Sequence, residues 1–171
     1  VPPFFVSIVH NYFMNDYSNH IAIIGAGISG LALGCTLKKA GVPCIIFERS
    51  SGISEYGAGI SISPNGLRVL KYLNIDKQLK EKSGNPEKAS LFSNGTKITS
   101  FPVEVVTTSR QTLYKVLLES YLSLSGEILF DHELSEIDLD TPTIHFSNKL
   151  SFTVMHIAAC DGIKSFCRKQ C

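Results

Sequence analysis

The chain has 171 residues, of which 44% are hydrophobic and 18% are charged, and its formal net charge at pH 7 is +1. This length allows one domain with a proper core, and this composition is typical of a globular protein. A charge so close to zero gives no electrostatic basis for binding nucleic acid or an anionic membrane surface.

The N-terminal part, residues 1–19, is predicted to be a disordered extension. The first thirteen residues show no hydrophobic period, and Met14 precedes a more usual beginning for a folded domain. The alternative is an amphipathic arm that packs on the surface. Residues 1–20 contain no Lys or Arg, so the charged region of a secretory signal is missing.

The uncharged stretch at residues 17–37 is long enough to resemble a membrane span. Four glycines and several polar residues interrupt it, and its periodicity breaks at Gly25. We therefore predict no membrane span.

Residues 20–49 predict the first half of a dinucleotide-binding unit. A short apolar run is followed by the pattern G-x-G-x-x-G at Gly25, Gly27 and Gly30. A helical pattern comes next, and then a second apolar run that ends on Glu48. Strand, glycine turn, helix, strand and acid, in this order, make up the unit. A glycine-rich turn in another kind of α/β protein is the alternative interpretation.

Each residue type in this unit has a physical role. Gly25 would let the chain turn sharply, Gly27 would let backbone amides approach a pyrophosphate, and Gly30 would let the helix lie close to the strands. The helix N-terminus would direct free N–H groups at the phosphates. Glu48 lies 18 residues after Gly30, near the spacing of an acid that accepts from a ribose. Such an acid favours NAD or FAD over NADP.

The next part of the chain mixes strands and helices. Asn94-Gly95 lies between two alternating segments and predicts a type I′ turn. Because a hairpin interrupts the alternation of strand and helix, we assign residues 86–104 to a second, antiparallel sheet. The elements predicted here are a strand at 57–63, helices beginning at 63 and 76, and a hairpin at 89–98.

Ser109 is predicted to cap a helix that runs to about residue 124, with leucines, a valine and a tyrosine on its inward face. Arg110 lies in the first turn, where the helix dipole disfavours a cation, so an anion nearby would explain it. The alternative is an exposed surface arginine.

The C-terminal third is predicted to add a third parallel strand, a β-meander and a buried strand that ends in Asp161-Gly162. A last short turn begins at Ser165. The predicted ranges are 128–130 for the parallel strand, 134–139, 143–146 and 150–154 for the meander, and 155–160 for the buried strand. The fold class is therefore α/β, a Rossmann-like domain over residues 20–171 with a parallel sheet, a β-meander and a fragment of a second antiparallel sheet.

The five cysteines and five histidines suggest no metal site. The cysteine count is odd and no C-x-x-C occurs, which favours reduced thiols in a cytoplasmic protein. The histidines share no spacing or acid partner, and we assign them structural roles. No catalytic residue is identified, so any chemistry must come from a cofactor.

Four motifs occur here in the order found in one known family. They are the glycine pattern with Glu48-Arg49, Gly57-Ala58-Gly59-Ile60 leading to Pro64-Asn65-Gly66-Leu67-Arg68, Ser109-Arg110 leading to Leu113 and Leu117, and Ala159-Cys160-Asp161-Gly162-Ile163-Lys164-Ser165 with Arg168. With these motifs the chain resembles the FAD-dependent monooxygenases of the para-hydroxybenzoate hydroxylase type, in particular relatives of salicylate hydroxylase, urate hydroxylase and zeaxanthin epoxidase. The glycine pattern is widespread, whereas the Asp-Gly motif is more specific.

The resemblance implies FAD as cofactor, NAD(P)H as co-substrate, and O₂-dependent hydroxylation or epoxidation of an aromatic or other small organic substrate. It places the FAD pyrophosphate at the glycine pattern, the ribose at Glu48, the adenine end near Arg49 and Leu134, and the phosphate or ribityl region near Arg110. Asp161 would serve both FAD and NAD(P)H, and its alternative role is a helix cap. The implied cofactor-binding residues are Gly25, Ala26, Gly27, Gly30, Glu48, Arg49, Gly59, Arg110, Leu134 and Asp161.

The chain also departs from the family pattern. The family has a later Gly-Asp motif that binds the ribityl chain, and this sequence contains no Gly-Asp. We therefore expect the N-terminal part of a monooxygenase, with residues 86–104 as a remnant of the substrate-binding sheet. The alternatives are a truncated, catalytically inert nucleotide-binding fragment and an NAD-dependent dehydrogenase. The sequence does not predict the oligomeric state.

Overall fold

The computed structural model describes residues 16–52, 57 and 59–170. The helices are α1 (Ile28–Lys39), α2 (Pro64–Tyr72), α3 (Asp76–Glu81) and α4 (Arg110–Ser123), and a 3₁₀ turn lies at Cys167–Lys169. The strands are β1 (Ile21–Ile24), β2 (Cys44–Phe47), β3 (Gly59–Ile62), β4 (Lys88–Ser93), β5 (Thr96–Pro102), β6 (Val106–Ser109), β7 (Ile128–Leu129), β8 (Leu134–Asp138), β9 (Thr143–Phe146), β10 (Ser151–Thr153) and β11 (His156–Ala159).

Four strands form a parallel sheet in the order β11-β1-β2-β7. Every residue of β2 is buried, because the sheet has a core on each face. Ile46 faces the core that contains Leu31 of α1 and Tyr121 of α4. Phe47 faces the second core, which the meander closes with Phe146. The predicted α/β architecture and its third parallel strand are confirmed.

The remaining strands form three small antiparallel sheets, β10-β9-β8, β3-β6 and β4-β5. The predicted meander is confirmed as the first of these. The predicted hairpin is confirmed as the third, and Asn94 and Gly95 have positive φ angles of 47° and 79°. Two successive residues with positive φ are the requirement of a type I′ turn.

The β4–β5 hairpin packs on neither core. All residues of β5 are exposed, and Leu91, Phe92 and Ile98 are 53%, 63% and 66% exposed. The hairpin is therefore held by its own hydrogen bonds, and its membership of a substrate-binding sheet stays a prediction. No helix in the described ranges is long and apolar enough to cross a bilayer.

Two expectations about the strands differ from the structure. Strand β6 is absent from the sequence-based prediction, because its short run pairs with β3, which lies more than forty residues away in sequence. The strand predicted as buried at residues 155–160 is half-exposed, and Met155 is 39% exposed. It forms β11 at the edge of the described sheet, where fewer side chains cover it.

The N-terminal boundary lies earlier than residue 20. Tyr17 is only 4% exposed, and its ring packs edge-on against Phe47 and Phe152. Its hydroxyl donates a 3.3 Å hydrogen bond to Glu127. Residues 16–19 therefore belong to the folded part, because a tyrosine fills the aromatic core there. The rest of the predicted extension lies outside the described residues.

Candidate functional site

A cavity of about 550 Å³ opens where β1, β2 and β7 end. Ligands of open parallel α/β sheets bind beyond the carboxyl ends of the strands. The structure brings seven of the ten predicted cofactor-binding residues to this cavity, namely Gly25, Gly27, Glu48, Arg49, Arg110, Leu134 and Asp161.

The glycine loop, residues 25–30, needs glycine for two different reasons. Gly25 has φ +105°, and a Cβ there would lie 2.6 Å from the carbonyl oxygen of Cys160. A Cβ on Gly30 would overlap the carbonyl oxygen of Gly25. A Cβ on Gly27 would meet no atom within 4 Å, although Gly27 lines the cavity. Gly25 and Gly30 are thus required by the fold, whereas Gly27 keeps space open beside the cavity.

The N-terminus of α1 faces the cavity without a cap. Gly27 is the N-cap residue, no side chain caps the helix, and its first turn contains no acid. The backbone N–H groups of Ile28, Ser29 and Gly30 have no acceptor in the described part of the chain. Free N–H groups and the positive end of the helix dipole attract an anion such as a diphosphate.

Glu48 lies beside this loop. Its Oε2 accepts a 2.8 Å hydrogen bond from the N–H of Ala26, and its Oε1 accepts a 2.9 Å bond from the N–H of Ser50. A carboxylate has about four lone-pair positions, so two remain for hydroxyl donors. The expected proximity of acid and glycine loop is therefore present, and one amide of the loop is already paired with the acid.

Basic side chains outnumber acidic ones around the cavity. Four basic residues line it, namely Arg49, Arg110, Lys164 and Lys169, against three acidic residues, Glu48, Glu133 and Asp161. Arg110 is placed by the first turn of α4, where Ser109 Oγ accepts a 2.9 Å hydrogen bond from the N–H of Thr112. Gly57 lies against Arg110, since a Cβ on it would be 2.9 Å from Arg110 Cδ. The cavity can therefore hold an anion.

Asp161 follows β11 and caps the chain that comes next. Its Oδ2 accepts hydrogen bonds from the N–H groups of Phe166, at 2.7 Å, and Cys167, at 3.1 Å. Burial by itself would raise the pKa of Asp161, but hydrogen bonds from Ser165 and from backbone N–H groups outweigh it and hold the pKa below its ordinary value of 3.8. Asp161 is thus an ionised cap that also lines the cavity.

The other three predicted residues lie elsewhere. Ala26 and Gly30 are buried within and behind the glycine loop. Gly59 begins β3, opposite Ser109 of β6, and does not line the cavity. Only the pairing of β3 with β6 brings Gly59 near the first turn of α4.

Of the acidic, basic and histidine residues that line the cavity, sequence reasoning missed four, His132, Glu133, Lys164 and Lys169. The lysines lie three and eight residues after Asp161, so their closeness to the Asp-Gly motif was the available signal. No feature of the sequence marked His132 as a site residue. It is buried against Phe47 and Phe146, its Nδ1 lies 2.5 Å from the carbonyl oxygen of Phe130, and its Nε2 has no partner in the described part of the chain.

The described cysteines lie in buried or half-buried positions. Burial raises the pKa of the Cys35, Cys44 and Cys160 thiols. These thiols are therefore protonated and weakly nucleophilic at neutral pH. Nor do three or more His, Cys, Asp or Glu side chains converge as metal ligands within the described ranges.

The residues present fit the adenosine diphosphate half of FAD. Uncapped amides at the α1 N-terminus and an excess of basic groups suit the diphosphate. Glu48, with two lone-pair positions left, suits a ribose diol. Open space beside Gly27 allows the ligand to approach the backbone.

Comparison with known proteins identifies the family of the chain. Residues 18–171 match the family model described as FAD binding domain. The chain is 31% identical over 153 residues to Monooxygenase 1 of Arabidopsis thaliana, an alignment that covers 85% of this chain and 38% of that protein. It is 45% identical over 62 residues to 3-amino-4-hydroxybenzoate 2-monooxygenase of Streptomyces cremeus, covering 36% of this chain and 16% of that protein.

A solved structure shows the same fold. The crystal structure of p-nitrophenol 4-monooxygenase from Pseudomonas putida matches with a TM-score of 0.81 and 21% identity, over 90% of this chain and 43% of that chain. The chain spans less than half the length of these relatives. Because the family model covers nearly all of its residues, the chain belongs to the family of FAD-binding domains.

Proposed function

We propose that this chain is the FAD-binding part of a flavin-dependent monooxygenase and that its cavity holds the adenosine diphosphate half of FAD. The observation that carries the proposal is the uncapped N-terminus of α1, which faces a cavity with Glu48 beside it. A diphosphate at these amides and a ribose at this carboxylate would satisfy both sets of free hydrogen-bonding groups.

The proposal gives each group one task. The glycine loop would bind the pyrophosphate through its backbone, and Glu48 would accept hydrogen bonds from the ribose. Arg49 and the backbone of Leu134 would border the adenine, and Arg110 would offset the charge of a phosphate. Asp161 would hold the loop after β11 in place through its two backbone bonds. A contact between Gly59 and FAD has the weakest support, since Gly59 lies outside the cavity lining.

When bound, FAD supplies the redox chemistry, which is reduction by NAD(P)H and use of O₂ to hydroxylate or epoxidise a substrate. The chain's own residues bind and orient the cofactor. A small aromatic substrate is supported by the name of the Streptomyces relative, which acts on a hydroxybenzoate. A cytoplasmic location and the absence of nucleic-acid binding stay predictions from composition.

Flavin binding is the direct test. The purified chain is mixed with FAD, and bound flavin is measured by visible absorption after gel filtration. We expect about one FAD per chain, displaced by ADP but not by FMN, because FMN lacks the adenosine half. Arg110→Gln should weaken FAD binding, whereas Arg68→Gln, which removes the same charge outside the cavity, should not. Absence of both FAD and ADP binding would overturn the proposal.

A second candidate is a nucleotide-binding fragment without turnover. The exposed apolar side chains of the β4–β5 hairpin favour this interpretation. NAD(P)H oxidation stimulated by phenolic compounds would support the monooxygenase, and bound FAD without oxidation would support the fragment. An NAD-dependent dehydrogenase would instead bind NAD and leave FAD in solution.

A further inference from the structure

We propose that Glu48 is also a positioning residue. Its carboxylate links the glycine loop to the loop after β2, and this link, called the tie below, holds the glycine loop in its conformation before any ligand binds. The tie itself is independent of the proposed function, whereas its benefit for a diphosphate rests on that function. The positioning role of the carboxylate is therefore tested in the ligand-free chain.

The carboxylate joins two loops that are distant in sequence. Ala26 and Glu48 are 22 residues apart, and their hydrogen bond is 2.8 Å long. The other carboxylate oxygen accepts from Ser50 on its own loop, at 2.9 Å. Hydrogen bonds from N–H groups to a carboxylate are charge-assisted and stronger than neutral ones. One side chain therefore adds a link between the two loops, beside the backbone bond from the Gly25 N–H to the Phe47 carbonyl oxygen.

The backbone of Glu48 is itself fixed. Its N–H donates to the carbonyl oxygen of Leu129 at 2.8 Å, and its carbonyl oxygen accepts from the N–H of His132 at 2.9 Å. The tie thus begins from a residue held on the neighbouring strand end. Because its backbone is anchored, the side chain can hold the glycine loop at a set position relative to the ends of β2 and β7.

Ala26 depends on this bond. The residue is only 2% exposed, so little of it is open to water that could replace the carboxylate as the acceptor for its N–H. An unpaired buried N–H is costly. In a Glu48→Gln variant the glutamine amide would offer one oxygen to two N–H donors, and its NH₂ group would accept from neither. Whichever amide the remaining oxygen keeps, that hydrogen bond is neutral and no longer charge-assisted, so the Ala26 amide should exchange faster in this variant.

Hydrogen exchange of the ligand-free 171-residue chain tests the tie. In Glu48→Gln we expect the Ala26 N–H to exchange at least about tenfold faster than in the parent chain, as expected for loss of a charge-assisted hydrogen bond. The Gly25 N–H, which donates to Phe47 at 2.8 Å, is the internal control and should change little. The matched variant is Glu133→Gln, which removes another cavity carboxylate without touching the loop.

Each outcome has a clear meaning. Faster exchange at Ala26 but not at Gly25 in Glu48→Gln supports the tie, and unchanged exchange at Ala26 overturns it. Equal acceleration at Gly25 and Ala26 also overturns it, since it shows a general loss of stability instead of a local release. The same change in Glu133→Gln would attribute the effect to charge and would equally overturn the tie.

Binding of 2′,3′-dideoxy-ADP tests whether the tie strengthens diphosphate binding. This ligand has a diphosphate but no ribose hydroxyl for Glu48. Without a tie, removing the negative charge should strengthen binding of this anion in both variants. With the tie, Glu48→Gln should bind it at least about threefold more weakly than Glu133→Gln, because the loop must be ordered on binding. Binding that is equal or tighter in Glu48→Gln overturns the benefit. If the parent chain binds neither ADP nor FAD while Ala26 stays protected, the proposed function fails and the tie stands.

Discussion

Replacing Gly30 by alanine should destabilise the chain, although alanine is usually the better residue in a helix. A Cβ at position 30 would overlap the carbonyl oxygen of Gly25, and both groups belong to the backbone. The glycine loop and α1 would have to move apart. Overpacking of this kind costs about 1–3 kcal/mol, against a gain of about 1 kcal/mol from helix propensity. Because backbone atoms cannot rotate away as a side chain does, we take the upper end and expect a net loss of about 2 kcal/mol.

The assay is thermal unfolding of the ligand-free chain. For a domain of this size 1 kcal/mol corresponds to about 2–4 °C, so Gly30→Ala should lower Tm by about 4–8 °C. The matched variant is Gly27→Ala. Gly27 has φ −70° and ψ −177°, which alanine adopts easily, and its Cβ would meet nothing within 4 Å. Its Tm should fall by no more than about 3 °C, the cost of alanine at an N-cap position.

FAD binding should further distinguish the Gly27→Ala variant from the Gly30→Ala variant. The methyl group of Gly27→Ala would occupy the space through which a diphosphate reaches the loop amides, so FAD affinity should drop at least about tenfold with little change in stability. A Gly30→Ala variant with the Tm of the parent chain would refute the close contact of loop and helix. A Gly27→Ala variant that binds FAD normally would refute the position of the diphosphate.

Three further outcomes follow from the packing. Tyr121→Phe removes a 3.1 Å hydrogen bond to the carbonyl oxygen of Glu127 and should cost about 1 kcal/mol in urea unfolding. Asp161→Asn should destabilise the chain less at about pH 3 than at neutral pH: since the folded pKa lies below 3.8, the contribution of the carboxylate is full above that value and is lost as the pH falls through the folded pKa. Equal destabilisation at both pH values would argue against an ionised cap. Ile98→Ser, at a side chain 66% exposed, should change stability by less than about 0.5 kcal/mol and reduce light scattering by aggregates.

Local sequence signals located most of the elements. Asn94-Gly95 defined its hairpin because two residues that tolerate positive φ specify the turn without help from the rest of the chain. The inward face of α4 followed from helical spacing, and its N-terminus followed from the hydroxyl of Ser109. These signals depend on contacts within a few residues, which sequence patterns record directly.

Contacts between segments that are distant in sequence were harder to predict from sequence patterns. Strand β6 has only four residues and exists as a strand because β3 lies beside it. Tyr17 belongs to the core only because Phe47 and Phe152 meet there. Short elements of this kind take their stability from tertiary contacts, so their own residues specify them weakly.

The same division holds for the site. The sequence by itself determined the order of strand, glycine loop, helix and acid, because each of these has its own local requirement for backbone freedom, charge or apolar side chains. Only the tertiary structure decided that Lys164 and Lys169 join this cavity, that Gly59 stays outside its lining, and that Glu48 holds Ala26. The physical reason is that these relations are distances between loops from different strands, and the order of strands in the sheet sets those distances.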